Sequence, residues 1–308
     1  MRDSDTPSCT VVICTRDRTA ELERALSAVA RLDYPRFDVL VVDSASRDRC
    51  AQDVAARWGA RSIREPFPGV NRARNLAARA CQTELVAFLD DEAVPEPGWL
   101  SGLACEFSDP LVMAAVGRIL ALSVETEAQR FFASVGGFDF RQERCIVDRQ
   151  TPFWFELANF SALGNEAGMA IRRRAFEAWP GFDERLGPGR ILRGCDGQQA
   201  IFSLIDRGYR VVYTPHAVVR HPYPHTFEEL RARHLRDLAA AGGYITLLLV
   251  EEARYRKAVI RYVLEGLQKR PRIWRGELAR TRIVPRWRML LAWLSGPFLY
   301  VWSRISRQ

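Results

Sequence analysis

The sequence predicts an α/β protein, a sheet of largely parallel strands flanked by helices, followed by a helical C-terminal appendage. Three observations carry the prediction. Up to Glu92, short apolar β-branched runs alternate with helical segments. Three of those runs end directly in polar residues. After about residue 226 the chain turns arginine-rich and amphipathic. Regular strand–helix alternation favours parallel strands with helices on the sheet faces.

The elements follow in order. Residues 10–14 (TVVIC) read as a buried parallel strand. Polar Thr15-Arg16-Asp17-Arg18 follows, then a helix with Leu22, Ala25, Leu26 and Val29 on one face, ended by Tyr34-Pro35. Residues 37–42 (FDVLVV) form a second strand that stops at Asp43. A helix over 50–58 leads to a third strand at 61–63. Gly69 opens a loop before a helix over 71–80, and residues 85–89 (LVAFL) form a fourth strand running into Asp90-Asp91-Glu92. In open α/β sheets ligands bind beyond the carboxyl ends of the strands. Thr15-Arg16, Asp43-Ser44 and Asp90-Asp91-Glu92 are therefore expected to share one crevice. Further on, strands are expected at 112–122, 164–171 and 209–213, with a helix over 198–206. Residues 131–155 look aromatic and loop-rich, and no internal repeat is visible.

Composition bounds the function. With 308 residues, 48% apolar and 27% charged, the chain is ordinary globular material, long enough for one large domain and an appendage. Residues 228–308 hold 17 Lys or Arg against 7 Asp or Glu, a surplus of +10, which leaves the first 227 residues at −2 of the total +8. A basic tail on a near-neutral body points to an anionic partner; an anionic membrane surface is taken over nucleic acid. The run 287–302 (WRMLLAWLSGPFLYVW), interrupted by Gly296-Pro297 and flanked by arginines, suits an interfacial helix pair on an anionic leaflet. The alternative is a helical hairpin packed on the domain or on a second subunit as a homodimer. Seven cysteines without a CxxC pair give neither a disulfide framework nor a zinc spacing and fit reduced thiols. With no apolar signal segment and no spanning run, the expected location is cytoplasmic, with peripheral attachment to the inner face of the cell membrane as an extension. The lack of GxGxxG, GxxxxGK[ST] and GxSxG sequences argues against dinucleotide oxidoreductases, P-loop kinases and serine hydrolases.

The acidic run carries the chemistry. Three adjacent carboxylates repel one another unless a cation or hydrogen-bond donors compensate. Mg2+ and Mn2+ prefer such oxygen ligands and bridge readily to diphosphates. A solvated turn or a helix cap is the plainer alternative.

The segments VVICTRDR, VLVVDSAS, GVNRARNLAA and LVAFLDDEAVPEPGWL resemble the nucleotide-binding half of family 2 glycosyltransferases with the GT-A fold. GNEAGMAIRR, PGFDERLG and GYRVVYTPHAVVRH resemble the acceptor half. The resemblance covers roughly residues 9–225 and implies a Rossmann-type mixed sheet. It implies a glycosyltransferase domain over 1–225, with a nucleotide-sugar-binding half (1–100) and an acceptor half (101–225), and a basic helical region over 226–308. It implies sugar transfer from a nucleoside-diphosphate sugar, a UDP-sugar favoured, with inversion and with Mn2+ or Mg2+. Acceptors under this reading are a growing cell-envelope glycan, a lipid-linked sugar or a small metabolite. Residue by residue, Thr15, Arg16, Asp43, Ser44, Arg74, Asn75, Asp90 and Asp91 are implied in nucleotide-sugar binding, with Asp43 on the base and Arg74 on the diphosphate. Asp91, Glu92 and His221 are implied as metal ligands, and Glu184 and Asn165 lie on the acceptor side. Glu92 stands where the family often has Asp. The catalytic base is expected at Asp196 in CDGQQ, one position early relative to the family's usual spacing from the Gly208 turn; Glu184 is the fallback. The rival readings are a nucleotidyltransferase on a similar sheet and a catalytically silent nucleotide-sugar-binding or scaffold protein.

Overall fold

A computed structural model describes residues 6–160, 163, 167–268 and 283–306. Its backbone contacts divide the chain into two compact units. The first comprises Met1–Leu122, Asp139–Glu184 and Asp196–Pro222; the second comprises Ser123–Phe138, Arg185–Cys195 and Tyr223–Gln308.

The first unit is built on strands β1 (Cys9–Thr15), β2 (Phe37–Ser44), β3 (Arg61–Glu65), β4 (Leu85–Asp90), β5 (Val94–Pro95), β6 (Val112–Ala121), β7 (Cys145–Val147), β8 (Gly168–Arg172) and β9 (Arg210–His221). They form one sheet in the order β3-β2-β1-β4-β8-β6-β9-β5, with β7 pairing on β9. The first four strands are mutually parallel. β8 then enters antiparallel between β4 and β6, while β6 and β9 run parallel to each other. The sheet is thus mixed, as expected.

Residues 11–13, 40–42 and 85–89 are buried along their whole length, as strands covered on both faces must be. Helices α1 (Thr19–Val29), α2 (Cys50–Arg57) and α3 (Val70–Ala80) connect the parallel strands. α1 buries Leu22, Ala25, Leu26 and Val29, the stripe its 3.6-residue spacing dictates. The stretch 131–155 is mostly turn and loop, as expected, and only β7 and the adjoining ends of two helices are regular within it. Helix α4 (Trp99–Ala104) is followed by α5 (Glu127–Ser134), β7 and α6 (Trp154–Phe160). α5 begins at a reciprocal capping box between Thr126 and Gln129, a pattern readable in the sequence. Helix α7 (Asp196–Asp206) starts two residues before its expected beginning, and β9 continues well past residue 213.

The second unit holds α5, α8 (Phe227–Glu251), α9 (Arg256–Gln268) and α10 (Arg286–Ile305). The interruption expected at Gly296-Pro297 does not occur: α10 is one helix that passes through Pro297. It lies against α8 at three glycines. A Cβ placed on Gly296 would fall 2.2 Å from the Gly243 amide nitrogen, and one on Gly242 would fall 2.2 Å from the Trp293 carbonyl oxygen. Proline removes the N–H that would otherwise bond the carbonyl four residues earlier, which here is Trp293. That carbonyl sits against the backbone of α8 instead, so close packing of two helices accommodates the proline. No helix among the described residues is long and apolar enough to cross a membrane.

Candidate functional site

Parallel register brings three strand ends together. Thr15 pairs with Asp43 and Cys14 with Asp90, so the ends of β1, β2 and β4 open at one edge of the sheet. The three polar clusters expected to converge do so.

On β4 the acids are held by specific donors. The Thr15 hydroxyl donates to Asp91 Oδ2 at 2.8 Å. Arg18, which precedes α1, spans Asp91 Oδ1 at 3.2 Å and Glu92 Oε2 at 3.0 Å. Burial pushes the Asp91 carboxyl up to about 6, against the opposing pull of Arg18 and the Thr15 hydroxyl. The His221 ring, at the end of β9, places Nε2 3.1 Å from Glu92 Oε1 while Nδ1–H donates to the Pro222 carbonyl at 2.9 Å. Burial disfavours its charged form, but the Glu92 hydrogen bond and the charges of Asp90 and Glu92 outweigh burial and raise its affinity for the proton.

Asp43 is fully buried at the end of β2. Its Oδ1 accepts the Ser46 N–H at 2.8 Å and its Oδ2 accepts Arg64 Nη1 at 2.5 Å. The Ser46 contact makes Asp43 a turn cap, and a carboxylate has further lone pairs to offer a ligand. Ser44 Oγ accepts the Gly69 N–H at 3.2 Å, tying the β2 end to the start of α3. Arg16 is exposed beside Asp17 at 3.9 Å.

The helix α3 joins the strand ends to the opposite wall. Arg74 is buried, with Nη1 2.9 Å from Asp196 Oδ2 and 3.1 Å from Asn71 Oδ1, and Nη2 3.2 Å from Asp90 Oδ1. Its guanidinium lies 5.5 Å from the Phe182 ring centroid. In this structure Arg74 ties two carboxylates together. Asn75 donates to the Phe182 carbonyl at 2.9 Å and to Glu184 Oε1 at 3.2 Å, and accepts the Phe182 N–H at 2.9 Å. Gly181 sits opposite at φ 91°, where a Cβ would fall 2.4 Å from Asn75 Oδ1. Asn75 thus braces the loop that presents Glu184, which also pairs with Arg72 at 3.3 Å. Asn165 lies outside the described residues.

Two participants escaped the sequence reading. Arg18 and Arg64 neutralise Asp91 and Asp43, partners 73 and 21 residues away. The only sequence signal for Arg18 is a basic residue soon after a strand that ends at a candidate site.

Three of these side chains are of the types that ligate divalent cations. Among the described residues no three His, Cys, Asp or Glu side chains form a ready-made cage. Mg2+ and Mn2+ at phosphate sites need none, because one or two carboxylates, substrate phosphates and water complete their shell. Asp91, Glu92 and His221 are the side chains here that could supply such ligands.

Known proteins share the sequence pattern and the fold. Residues 10–174 match the family model described as glycosyl transferase family 2. A pre-mycofactocin glycosyltransferase of Mycobacterium tuberculosis is 30% identical over 219 residues, covering 70% of this chain but 42% of its own length. An O-antigen chain rhamnosyltransferase, RfbN, of Salmonella typhimurium is 24% identical over 280 residues, covering 83% of this chain and 82% of the relative. Among solved structures, the mannosyltransferase PcManGT of Pyrobaculum calidifontis, in complex with GDP-Man and Mn2+, superposes with a TM-score of 0.60 at 17% identity, over 98% of this chain and 89% of its own. Residues 1–349 of TarS from S. aureus, in complex with UDP, give 0.54 at 14% identity over 97% and 90%.

Proposed function

The chain belongs to glycosyl transferase family 2, and on that premise we propose that it moves a sugar from a nucleoside-diphosphate donor to an acceptor hydroxyl with inversion. The observation that carries this reading is the convergence of Thr15, Asp43 and Asp90-Asp91-Glu92 at one sheet edge, linked by Arg74 to Asp196.

In the proposed reaction the acceptor oxygen attacks the anomeric carbon as the bond to the nucleoside diphosphate breaks on the opposite face. Asp196 takes the acceptor proton. Its Oδ2 is engaged by Arg74, so Oδ1 is the oxygen assigned to the proton, and Arg74 positions the carboxylate. Asp43 accepts an N–H of the nucleotide base through a remaining lone pair. Thr15, Arg16 and Ser44 border the same strand ends, and Asp90 and Asp91 lie on the donor's ribose and diphosphate side. Asn75 acts by holding Glu184 toward the acceptor. Asp91, Glu92 and His221 would hold Mn2+ or Mg2+; when bound, such an ion offsets the charge that builds on the leaving diphosphate. A UDP-sugar is the favoured donor, and a GDP-sugar is the first competitor given the ligand of the Pyrobaculum neighbour. A cell-envelope glycan or lipid-linked sugar is the favoured acceptor class, supported by the O-antigen assignment of the Salmonella relative. We assign the transfer to 1–225 and a separate role to the basic region 226–308. The seven unbridged cysteines favour a reducing, cytoplasmic setting.

The test incubates the chain with UDP- and GDP-sugars, with and without Mn2+, and identifies the product. Release of nucleoside diphosphate that falls at least a hundredfold in Asp196→Asn is the expected result. Pyrophosphate as product would establish the nucleotidyltransferase reading. Nucleotide binding without turnover, equal in both proteins, would establish a silent binding protein.

A further inference from the structure

Helix α10 has two unlike faces. Met289, Gly296 and Tyr300 are buried and lie on one side, the side that meets α8. The opposite side carries Trp287, Leu291, Leu294, Phe298, Trp302 and Ile305, all exposed, with Trp287 at 64% and Phe298 at 77%. Their spacing of four, three, four, four and three residues draws one continuous stripe along the helix. Large apolar side chains do not line up in water without a partner.

Charge identifies that partner. No Asp or Glu occurs from Arg286 to Ser306. By helical spacing Arg286 and Arg304 fall on one flank of the stripe and Arg288 on the other. Arg304 is already paired with Glu251 at 2.9 Å, while Arg286 and Arg288 are exposed. An apolar stripe with aromatic residues, edged by arginines, is the pattern of a helix lying in the plane of a bilayer, its arginines reaching the phosphates. A second copy of this chain fits worse. A symmetric contact sets the same patch against itself, which would bring arginines together with no acid on the helix to separate them. A crossing orientation is also excluded for α10, since no described helix is long and apolar enough to span.

We propose that α10 is an in-plane docking helix for an anionic lipid surface, anchored to the protein by its glycine contact with α8. The stripe enters the headgroup–acyl boundary and Arg286 and Arg288 bind lipid phosphates. The inference is independent of the sugar-transfer reading, because it uses no residue of the strand-end site.

Vesicle flotation with the full chain tests it. The probes are vesicles of phosphatidylcholine alone and of phosphatidylcholine mixed with phosphatidylglycerol. The chain should float with the mixed vesicles and be released by high salt. Leu291→Glu/Phe298→Glu changes two exposed side chains and should leave the far-ultraviolet circular dichroism and thermal midpoint unaltered while abolishing flotation. Arg286→Ala/Arg288→Ala should weaken binding to the mixed vesicles about fivefold per arginine and leave the weak binding to phosphatidylcholine unchanged. Failure of the wild-type chain to float with mixed vesicles overturns the proposal. So does a concentration-dependent dimer that Leu291→Glu/Phe298→Glu dissolves while flotation is unaffected.

Discussion

Replacing Arg74 with Met removes the charge at the centre of the candidate site while keeping most of its volume. Its partner Asp196 keeps only 3% of its side-chain surface in contact with solvent, and their N–O distance is 2.9 Å. Without the guanidinium, that carboxylate is left nearly dehydrated. Breaking a buried pair from one side costs about 3–5 kcal/mol. The second partner, Asp90, is about one-third exposed at 32%, so water takes over much of its solvation and the loss there stays below about 1 kcal/mol. The lost contact with the Phe182 ring adds no more than about 1 kcal/mol. Asp196 therefore dominates, and Arg74→Met should destabilise by about 3–5 kcal/mol. For a unit of this size that lowers the melting temperature by roughly 10 °C. Urea and thermal unfolding followed by circular dichroism at neutral pH measure both. The double variant Arg74→Met/Asp196→Asn should recover about 2 kcal/mol relative to additivity, because it removes the stranded charge together with its partner. A single variant within about 1 kcal/mol of the wild type, or strictly additive losses, would refute the argument that this pair is a buried, mutually dependent unit.

Three further outcomes follow from the same structure. Gly296→Ala drives a methyl into the backbone of α8 and should destabilise the helical unit by about 2 kcal/mol, seen as faster amide exchange in residues 227–251 and 286–305. Within that unit, burial works against ionisation of Glu251, but Arg185, Tyr300 and Arg304 prevail and hold its carboxyl down to about 2. A depressed acid stabilises above its ordinary value near 4.5, and that stability is lost as pH falls toward 2; Glu251→Gln should flatten stability against pH across this window in acid titrations. Asp91→Asn should abolish the additional thermal stabilisation that Mn2+ confers over UDP alone, and an undiminished Mn2+ increment would remove Asp91 from the cation site.

Much of the catalytic unit was legible because its signals are local. An apolar β-branched run followed by a polar residue defines a strand and its end within a few positions, so Thr15, Asp43 and Asp90 were readable as a set. The capping box at Thr126 is equally local. Arg74 and Asn75 were visible as helix residues near the cleft, but the partners Asp196 and Phe182 lie 122 and 107 residues away. Nothing in their own neighbourhood reveals whether a guanidinium meets phosphate or carboxylate. The continuity of α10 through Pro297 was likewise hidden, since it depends on a glycine surface some fifty residues earlier in the chain.

The amino-acid sequence by itself determined the first strands, the helices between them and the acidic edge of the sheet. Those follow from side-chain periodicity and backbone preference, which act over a few residues. Only the tertiary structure decided that β8 enters antiparallel beside β4, that Arg74 joins Asp90 to Asp196, and that α10 is one helix with a buried glycine face and an exposed apolar one. These depend on which distant surfaces lose water together, and burial is a property of the packed chain rather than of any segment within it.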